Sequence, residues 1–490
     1  MTTYPLLSLL VLLPLFGALL CALSGRSATR VALVIAALEL VVSLVVVGSF
    51  GPNTAGFQFV ERHAWMRSLN VEFLLGVDGI SVLFLPLSAL VTLAVLIHSA
   101  TACPSQQSSF SALLLLLLAA TVGIFVALDT VLFFLFWELT LPPLFFLISR
   151  FGIGPDRRVA AMKYTLYMLF GGAPLLFGFI ILALNYADVM GVAAPAGLSF
   201  SLPELLTVDV PLEMQRTVFF LLVVGFAVKA PLFPFHTWLP KVAFEGPAQI
   251  TAWLVGLKLG VYGLLRFVLP LVPDAVAEFQ RPLALLGAFT LIYAGMVALR
   301  QQNLRLLLAY AGISHVGLVV MGIASMTEQG IQGALLQLVN FTLIAVSLML
   351  LAASLQQRLG SSELVHMGGL ATPMPRLATL FTVFALASLG TPFTSGFPAE
   401  LLLLIGNFKS HAGLGFTALV GAIIGAAALL TFLRRAFWGP LTNANQRHHA
   451  DLLPREYGLF LALLALVLFF GFFPSVILDL SSPSITAILR

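Results

Sequence analysis

Long apolar runs, interrupted at intervals by a few charged residues, dominate the pattern of hydrophobic and polar positions along this chain. A bilayer core of ~30 Å takes about 20 apolar residues as helix. Fourteen runs of that order can be read, at about residues 4–23, 30–49, 79–98, 110–128, 130–149, 161–185, 217–236, 249–269, 282–299, 304–325, 330–354, 377–405, 412–433 and 457–476. The predicted fold class is therefore an all-α polytopic membrane protein. The first run lacks a basic leading segment, and Leu20 precedes Cys21 where a cleavage site would want a small residue, so an uncleaved first helix is expected.

Composition agrees. Of 490 residues, 60% are hydrophobic and 9% charged, and the mean hydropathy is +1.06. A soluble chain carries about 25% charged residues. The net charge of +4 comes from scattered loop residues and includes no basic tract, which excludes a nucleic-acid-binding reading. With Cys21 and Cys103 as its only cysteines, the chain can build no disulfide framework and no Cys-ligated zinc or iron–sulfur site. Motifs for dinucleotides, phosphate loops and metalloproteases are also missing, so no redox or metal site of its own is expected.

Loop charges set the expected orientation. With the N-terminus outside, fifteen basic residues fall in inner loops: Arg26, Arg30, Arg150, Arg157, Arg158, Lys163, Lys241, Arg300, Arg305, Arg358, Arg376, Arg434, Arg435, Arg447 and Arg455. Seven fall outside: Arg62, Arg67, Arg216, Arg266, Arg281, Lys409 and Arg490. Both termini are thus expected on the outer face, the periplasm if the membrane is a bacterial inner membrane. The stretch 186–216 would be a long acidic outer loop.

Ionisable groups inside a bilayer are expensive and mark function by default. Five predicted spans carry one near mid-depth: Glu39, Glu138, Lys229, Lys258 and Glu400. His236 and His315 add groups that titrate near neutral pH. Spread over many spans, these residues suggest a relay. Glu138 has Pro142 and Pro143 one turn on, which loosens its helix. Lys229 precedes Pro231 and Pro234, which predict a broken helix, and His236 lies seven residues beyond, on the same side were the helix continuous. Gly256 and Gly260 flank Lys258, opening it to close approach. Glu400 follows a second break containing Pro392 and Pro398. V-K-A-P-L-F-P and L-G-T-P-F-T-S place a proline at the same offset, and interrupted helices at matching places are the mark of an internally repeated transporter. Spans four to eight and nine to thirteen would be two five-helix units, inverted because each has an odd number of spans. The expected division is 1–109 (three N-terminal helices), 110–270 (first repeat), 271–434 (second repeat) and 435–490 (inner loop and last helix).

Plainer roles also fit some of these residues. Glu39 sits on a featureless helix and reads as structural or peripheral. His236 could cap or orient the broken helix instead of carrying protons. Asp129, Arg300 and Arg305 fall at span ends as interfacial anchors. Two buried lysines are harder to explain structurally, because burial lets lysine lose its charge readily.

At GVDGIS (76–81), FWELTLPPLF (136–145), KAPLFPFHTWLP (229–240), LKLGVYG (257–263), RLLLAYAGISHVG (305–317) and SGFPAE (395–400), the chain resembles the proton-pumping membrane subunits of respiratory complex I and the Mrp-type cation/proton antiporters. The resemblance runs through nearly the whole length. Within the group it is nearest to the M-type chains, which have fourteen spans and an acid where the longer L-type chains carry a lysine in the twelfth. It implies a non-redox, proton-translocating subunit of an NADH:quinone oxidoreductase. Glu138 would be the fifth-span acid, Lys229 its ion-pair partner, Lys258 the relay lysine, His315 the central histidine and Glu400 the exit-side acid, with His236 beside them. Cofactors (NADH, FMN, iron–sulfur clusters and quinone) would sit in partner subunits, none in this chain. Its partners would be L-type and N-type antiporter-like chains and lipids, with no nucleic acid.

The chain departs from that family at several points. After HTWLP it has Lys241, Val242 and Ala243 where an aspartate and a histidine are usual. Asn303 replaces an aspartate, and Asn340 with Phe341 replaces a histidine–glycine pair. An Mrp-type Na⁺/H⁺ antiporter subunit and the membrane arm of an energy-converting hydrogenase share the same core. An autonomous solute transporter would need a roomy polar pocket, and a pure scaffold would have no use for buried lysines.

Overall fold

The computed structural model describes residues 5–100, 107–440 and 449–489; Cys103, Arg447 and Arg490 lie outside the described residues. Eleven helices in it are long and apolar enough to cross a membrane. The expected segments 79–98, 217–236 and 377–405 supply none of the eleven. The first forms a helix of only 16 residues, and the other two are broken.

α1 (Leu6–Leu23) and α2 (Ala28–Gly48) open the chain. The expected outer loop 50–78 is a β-hairpin, β1 (Gln58–Met66) paired antiparallel with β2 (Val71–Val77), which the apolar-run reading missed. Its turn places Asn70 at φ 53°. Glu61 of β1 is buried because its carboxylate accepts the Leu7 N–H at 2.8 Å and the Ser8 N–H at 3.0 Å. Those are donors that the first turn of α1 cannot satisfy itself.

Asp78 follows the hairpin. Its Oδ1 accepts from the amides of Ile80 and Ser81 and from Arg266, while Oδ2 takes a second guanidinium nitrogen at 2.8 Å. Arg266 is therefore a buried ion-pair partner, not the outer-loop charge expected of it. Beside it, Gly79 lies so close to the backbone of Leu480 that a Cβ there would strike the Leu480 carbonyl. This contact seats the last helix of the chain, Ser475–Ile488, which was not anticipated beyond residue 476.

α3 (Phe84–Ser99) and α4 (Gln107–Val126) lead to α5 (Thr130–Leu139) and α6 (Leu141–Phe151). Asp129, expected as an interfacial anchor, caps α5 by accepting the Val131 and Leu132 amides. α5 gives way to α6 at Thr140, ahead of Pro142 and Pro143, as their sequence position predicts. α7 (Arg157–Met190), α8 (Leu202–Leu205) and α9 (Leu212–Lys229) follow. α9 stops at Lys229, and after a turn through 230–234 the chain resumes as α10 (Trp238–Glu245). The Trp238 indole N–H bonds the Val228 carbonyl at 2.9 Å, satisfying backbone that the break exposes.

The eighth predicted span is also interrupted. α11 (Ala248–Gly256) ends before Leu257 and Lys258, and α12 (Leu259–Gly263) runs through a π-turn at 264–268 into α13 (Leu269–Leu271). Gly260 allows the cause: a Cβ there would collide with Phe226 and Ala230, so this break abuts the break in α9.

The second half comprises α14 (Pro273–Leu299), α15 (Leu304–Ala324), α16 (Glu328–Leu359), α17 (Pro375–Ser388), α18 (Gly396–Ser410), α19 (Ala412–Ala436), α20 (Pro454–Phe472) and α21 (Ser475–Ile488). α16 is buried almost throughout, whereas α1, α2, α19 and α20 expose most of their surface, so α16 lies in the centre of the bundle. Asn303 caps α15 through the Arg305 and Leu306 amides and also bonds Ser362 and Glu363, which gives this departure a structural role. Arg305, expected at the interface, is buried, with one nitrogen on the Gly246 carbonyl and another on Gln356.

Breaking a buried ion pair by removing one partner costs about 3–5 kcal/mol, because the other charge is left uncompensated. Asp78→Ala is expected to lower the thermal stability of the detergent-solubilised chain by that order, and Asp78→Ala with Arg266→Met to recover part of it. Differential scanning fluorimetry on the two variants measures both.

Candidate functional site

Four interruptions in otherwise apolar helices carry Glu138, Lys229, Lys258 and Glu400, while His315 lies within the continuous α15. Each interruption exists because proline or glycine weakens the helix there, and unpaired backbone at membrane depth persists only where it is buried in protein or lines a cavity.

At the first, Glu138 is the second-last residue of α5. Gly172 of α7 makes room for it: a methyl group at Gly172 would meet Glu138 Oε1, and that oxygen is buried with no hydrogen-bond partner. At the second, Lys229 ends α9. Its ammonium donates to the Trp137 carbonyl at 3.2 Å and the Thr140 hydroxyl at 3.0 Å, and sits 3.8 Å from the Trp137 ring centroid. The expected direct ion pair with Glu138 does not form, because the residues on either side of Glu138 take the ammonium instead. Carbonyls at a helix C-terminus carry partial negative charge, and an indole face attracts a cation. Trp137 and Thr140 were missed as site residues. The signal was their place in FWELT around the acid.

Lys258 stands in the gap between α11 and α12, its ammonium buried without a hydrogen-bond partner. It faces α15, where a Cβ on Gly312 would lie 3.5 Å from Nζ, and the Phe341 ring of α16 is 6.0 Å away. His315 follows Gly312 by one turn of α15. Its Nε2 is 4.0 Å from Glu400 Oε1, and its ring lies 5.0 Å from that of Phe341. Glu400 is in the first turns of α18, just past the break at 389–395, beside Gly390, whose φ is +64°.

Two small cavities flank His315. One of about 20 Å³ is lined by His315, Gly312, Asn340 and Phe341, and one of about 40 Å³ by His315, Glu400, Ser314 and Ser388. About 10–15 Å³ of such volume holds one water when polar partners are present. Asn340, one of the departures noted in the sequence, accepts from the Ser395 hydroxyl at 2.6 Å and donates to Gln337 at 3.1 Å. It therefore ties α16 to the broken segment before Glu400.

Lys258, His315 and Glu400 are thus brought together in sequence. Glu138 and Lys229 are neighbours across the α5–α6 junction, and the two groups meet where Gly260 packs on Ala230. His236 is placed apart, in an aromatic nest of Phe233, Tyr293 and Tyr310, with its Nδ1 buried and unbonded. Since α9 ends at Lys229, the shared face expected of a continuous helix does not arise. Glu39 is fully buried on α2, and neither of its carboxylate oxygens has a partner.

A hydrogen bond to a charged group is worth about 1.5–3 kcal/mol. Thr140→Val is expected to destabilise the purified chain by that order, whereas Glu138→Gln, which removes no direct bond to Lys229, should leave its melting temperature unchanged or raise it. Equal losses in the two variants would show that Glu138 and Lys229 are paired after all.

The family model for "NADH:quinone oxidoreductase/Mrp antiporter, TM" matches residues 127–425. The chain is 34% identical over 500 residues to NADH-quinone oxidoreductase subunit M of Rickettsia prowazekii, covering 100% of this chain and 99% of that one. It is also 34% identical over 505 residues to subunit M of Rhodobacter capsulatus, covering 99% and 96%. Respiratory complex I from Thermus thermophilus contains a chain that superposes with a TM-score of 0.90 at 30% identity, covering 99% of both chains. A chain of the Mrp complex from Dietzia superposes at 0.82 over 99% of this chain and 52% of its own length, and at 22% identity it shows the common fold alone. By the family match over residues 127–425 and by full-length relatives at 34% identity, the chain belongs to the NADH:quinone oxidoreductase/Mrp antiporter family of transmembrane subunits.

Proposed function

We propose that this chain is the proton-translocating membrane subunit of an NADH:quinone oxidoreductase, of the M type. In this reading it lies in a bacterial inner membrane with both termini outward, beside L-type and N-type antiporter-like chains. NADH, FMN, iron–sulfur clusters and quinone belong to partner subunits, and redox energy reaches this chain mechanically or electrostatically. Residues 110–270 and 271–434 act as two inverted half-channels, between the helices of 1–109 and the closing segment 435–490. The matched breaks in α9–α10 and α17–α18 support that division.

The observation that carries the reading is the run of buried ionisable groups Glu138, Lys229, Lys258 and Glu400 at helix breaks, with His315 of the unbroken α15 between the last two. Lys229 holds a proton between the Trp137 carbonyl and the Thr140 hydroxyl. Displacement of either group, or a change in charge at Glu138, alters how well that proton is held. At an effective dielectric of ~20, two charges ~4 Å apart interact by about 4 kcal/mol, so a small movement is enough to shift a proton. The proton then passes through water to Lys258, whose ammonium has no competing protein partner, and on to His315. From His315 it crosses the 4.0 Å gap to Glu400, which releases it to the outer face. His236 orients the broken helix within its aromatic nest.

In the assembled complex reconstituted into liposomes, Lys229→Ala is expected to lower proton translocation at least tenfold, in line with general acid–base contributions of 10²–10⁴, while the complex still assembles. Acidification followed with a pH-sensitive dye, against NADH oxidation in the same vesicles, reads both. Undiminished pumping by Lys229→Ala would remove the relay.

A further inference from the structure

A relay through Lys229 and Lys258 needs protons from the inner face, and the segment following α9 does not provide them. Lys241 is held by Asp156 at 3.0 Å and by Glu245 at 3.2 Å. The Glu245 carboxylate also accepts the Asp156 amide, and its backbone carbonyl accepts the amides of Ile153 and Gly154. Leu239, Val242 and Ala243 are fully buried, and the Arg305 guanidinium closes on the Gly246 carbonyl. This corner is a bonded plug.

Beside the plug lies a cavity of about 310 Å³, where the N-terminal helices, the first repeat and the second repeat meet. Thr29, Ser99, Ser111, Gln249 and Gln356 line it. Its volume admits several waters, and each of these side chains can hold one. Behind two of its lining residues, Ser99 and Gln249, lies a histidine outside the relay. His98, near the end of α3, is 1% exposed. Its Nδ1 is 3.4 Å from the Gln249 amide nitrogen, and its Nε2 is 2.9 Å from the Ser354 hydroxyl. An amide nitrogen can only donate, so Nδ1 is the acceptor and the ring proton sits on Nε2, facing Ser354. The basic nitrogen is therefore separated from the cavity by the Gln249 amide alone, and the proton faces Ser354 on the interior side.

Ser354 lies on α16, the central helix. Ser347 and Asn340 follow it at seven-residue intervals, each nearly two full turns and about 10 Å apart, so the three share one face. All three are buried, and Asn340 lines the small cavity that also holds His315 and Gly312, with Lys258 Nζ directed at Gly312.

We propose that His98 is a proton-transferring residue that draws protons from the 310 Å³ cavity into the relay along the polar face of α16. This rests on the proton-translocating reading given above. When the Gln249 amide moves aside, a hydronium ion supplied to the cavity from the inner face gives its proton to Nδ1 and is left as water. The resulting imidazolium gives its Nε2 proton to the Ser354 hydroxyl, whose own proton passes inward to water. One proton has left the cavity, one has moved toward Asn340, and the imidazole is neutral again with its proton on Nδ1; a ring flip resets it. Gln249 sets the starting tautomer and acts as a positioning residue.

The test uses the whole complex in liposomes. His98→Ala should lower proton translocation about tenfold or more. Imidazole added on the inner face should restore much of it, while pyrazole, the same size but far less basic, should not. Equal rescue by the two would assign His98 a packing role, and wild-type pumping by both His98→Ala and His98→Asn would overturn the proposal. Should His98→Ala fail to assemble, His98→Asn, which can still bond Ser354, carries the measurement. Independently, Gln249→Cys in a Cys103→Ser background should react with a membrane-impermeant thiol reagent from the inner face and lose pumping on reaction; an unreactive Cys would show the cavity closed and overturn the route. Lys229→Ala run in parallel separates the two ideas. Full pumping there removes the relay itself, whereas blocked Lys229→Ala with normal His98 variants removes only the uptake route.

Discussion

Everything in this chain turns on how charge and unpaired backbone are kept inside a hydrocarbon layer. Neither can be solvated by lipid, so each must find a partner within the protein or a pocket of water. The structure meets both demands at the same places. Where proline or glycine breaks α9, the α11–α12 run and the helix before α18, the freed carbonyls and the ionisable side chains share one polar seam. Lys229 on the Trp137 carbonyl and Thr140 is the clearest case, since the junction of α5 and α6 supplies the acceptors that the end of α9 needs.

Partnered and unpartnered groups divide the seam by role. Asp78 and Arg266 satisfy each other in a bidentate pair that ties the end of the hairpin to the π-turn, while the next residue, Gly79, donates its amide to Ser484 of α21. Such fully satisfied groups stay as they are. Glu138 Oε1, Lys258 Nζ and His236 Nδ1 are buried without a partner, and groups in that condition respond most strongly to a small change nearby. His315 and Glu400 sit between these extremes, joined at 4.0 Å across a space large enough for water.

The departures from the family's usual residues also find physical accounts. Asn303 serves as a helix cap, a task that asparagine and aspartate perform equally well. Asn340 retains a hydrogen-bonding role on α16, linking Gln337 to Ser395, while the Phe341 beside it packs on His315 and near Lys258. Lys241 exchanges an acid for a base and draws Asp156 and Glu245 into a closed network.

The apolar runs, the proline positions and the isolated charges were enough to determine an all-helical membrane protein, the breaks at Lys229 and before Glu400, and most of the ionisable residues of the seam. Those features depend on local chemistry: helix length against bilayer thickness, and proline against the hydrogen-bond ladder. The β-hairpin, the burial of Arg266 and Arg305, the break at Lys258, the Trp137–Thr140 cradle and the contact of His98 with Gln249 and Ser354 were decided only by the tertiary structure. Apart from the hairpin, whose strands are adjacent but polar and short, each depends on segments far apart in the chain, up to 256 residues for His98 and Ser354, and no local pattern records which buried polar group will face which.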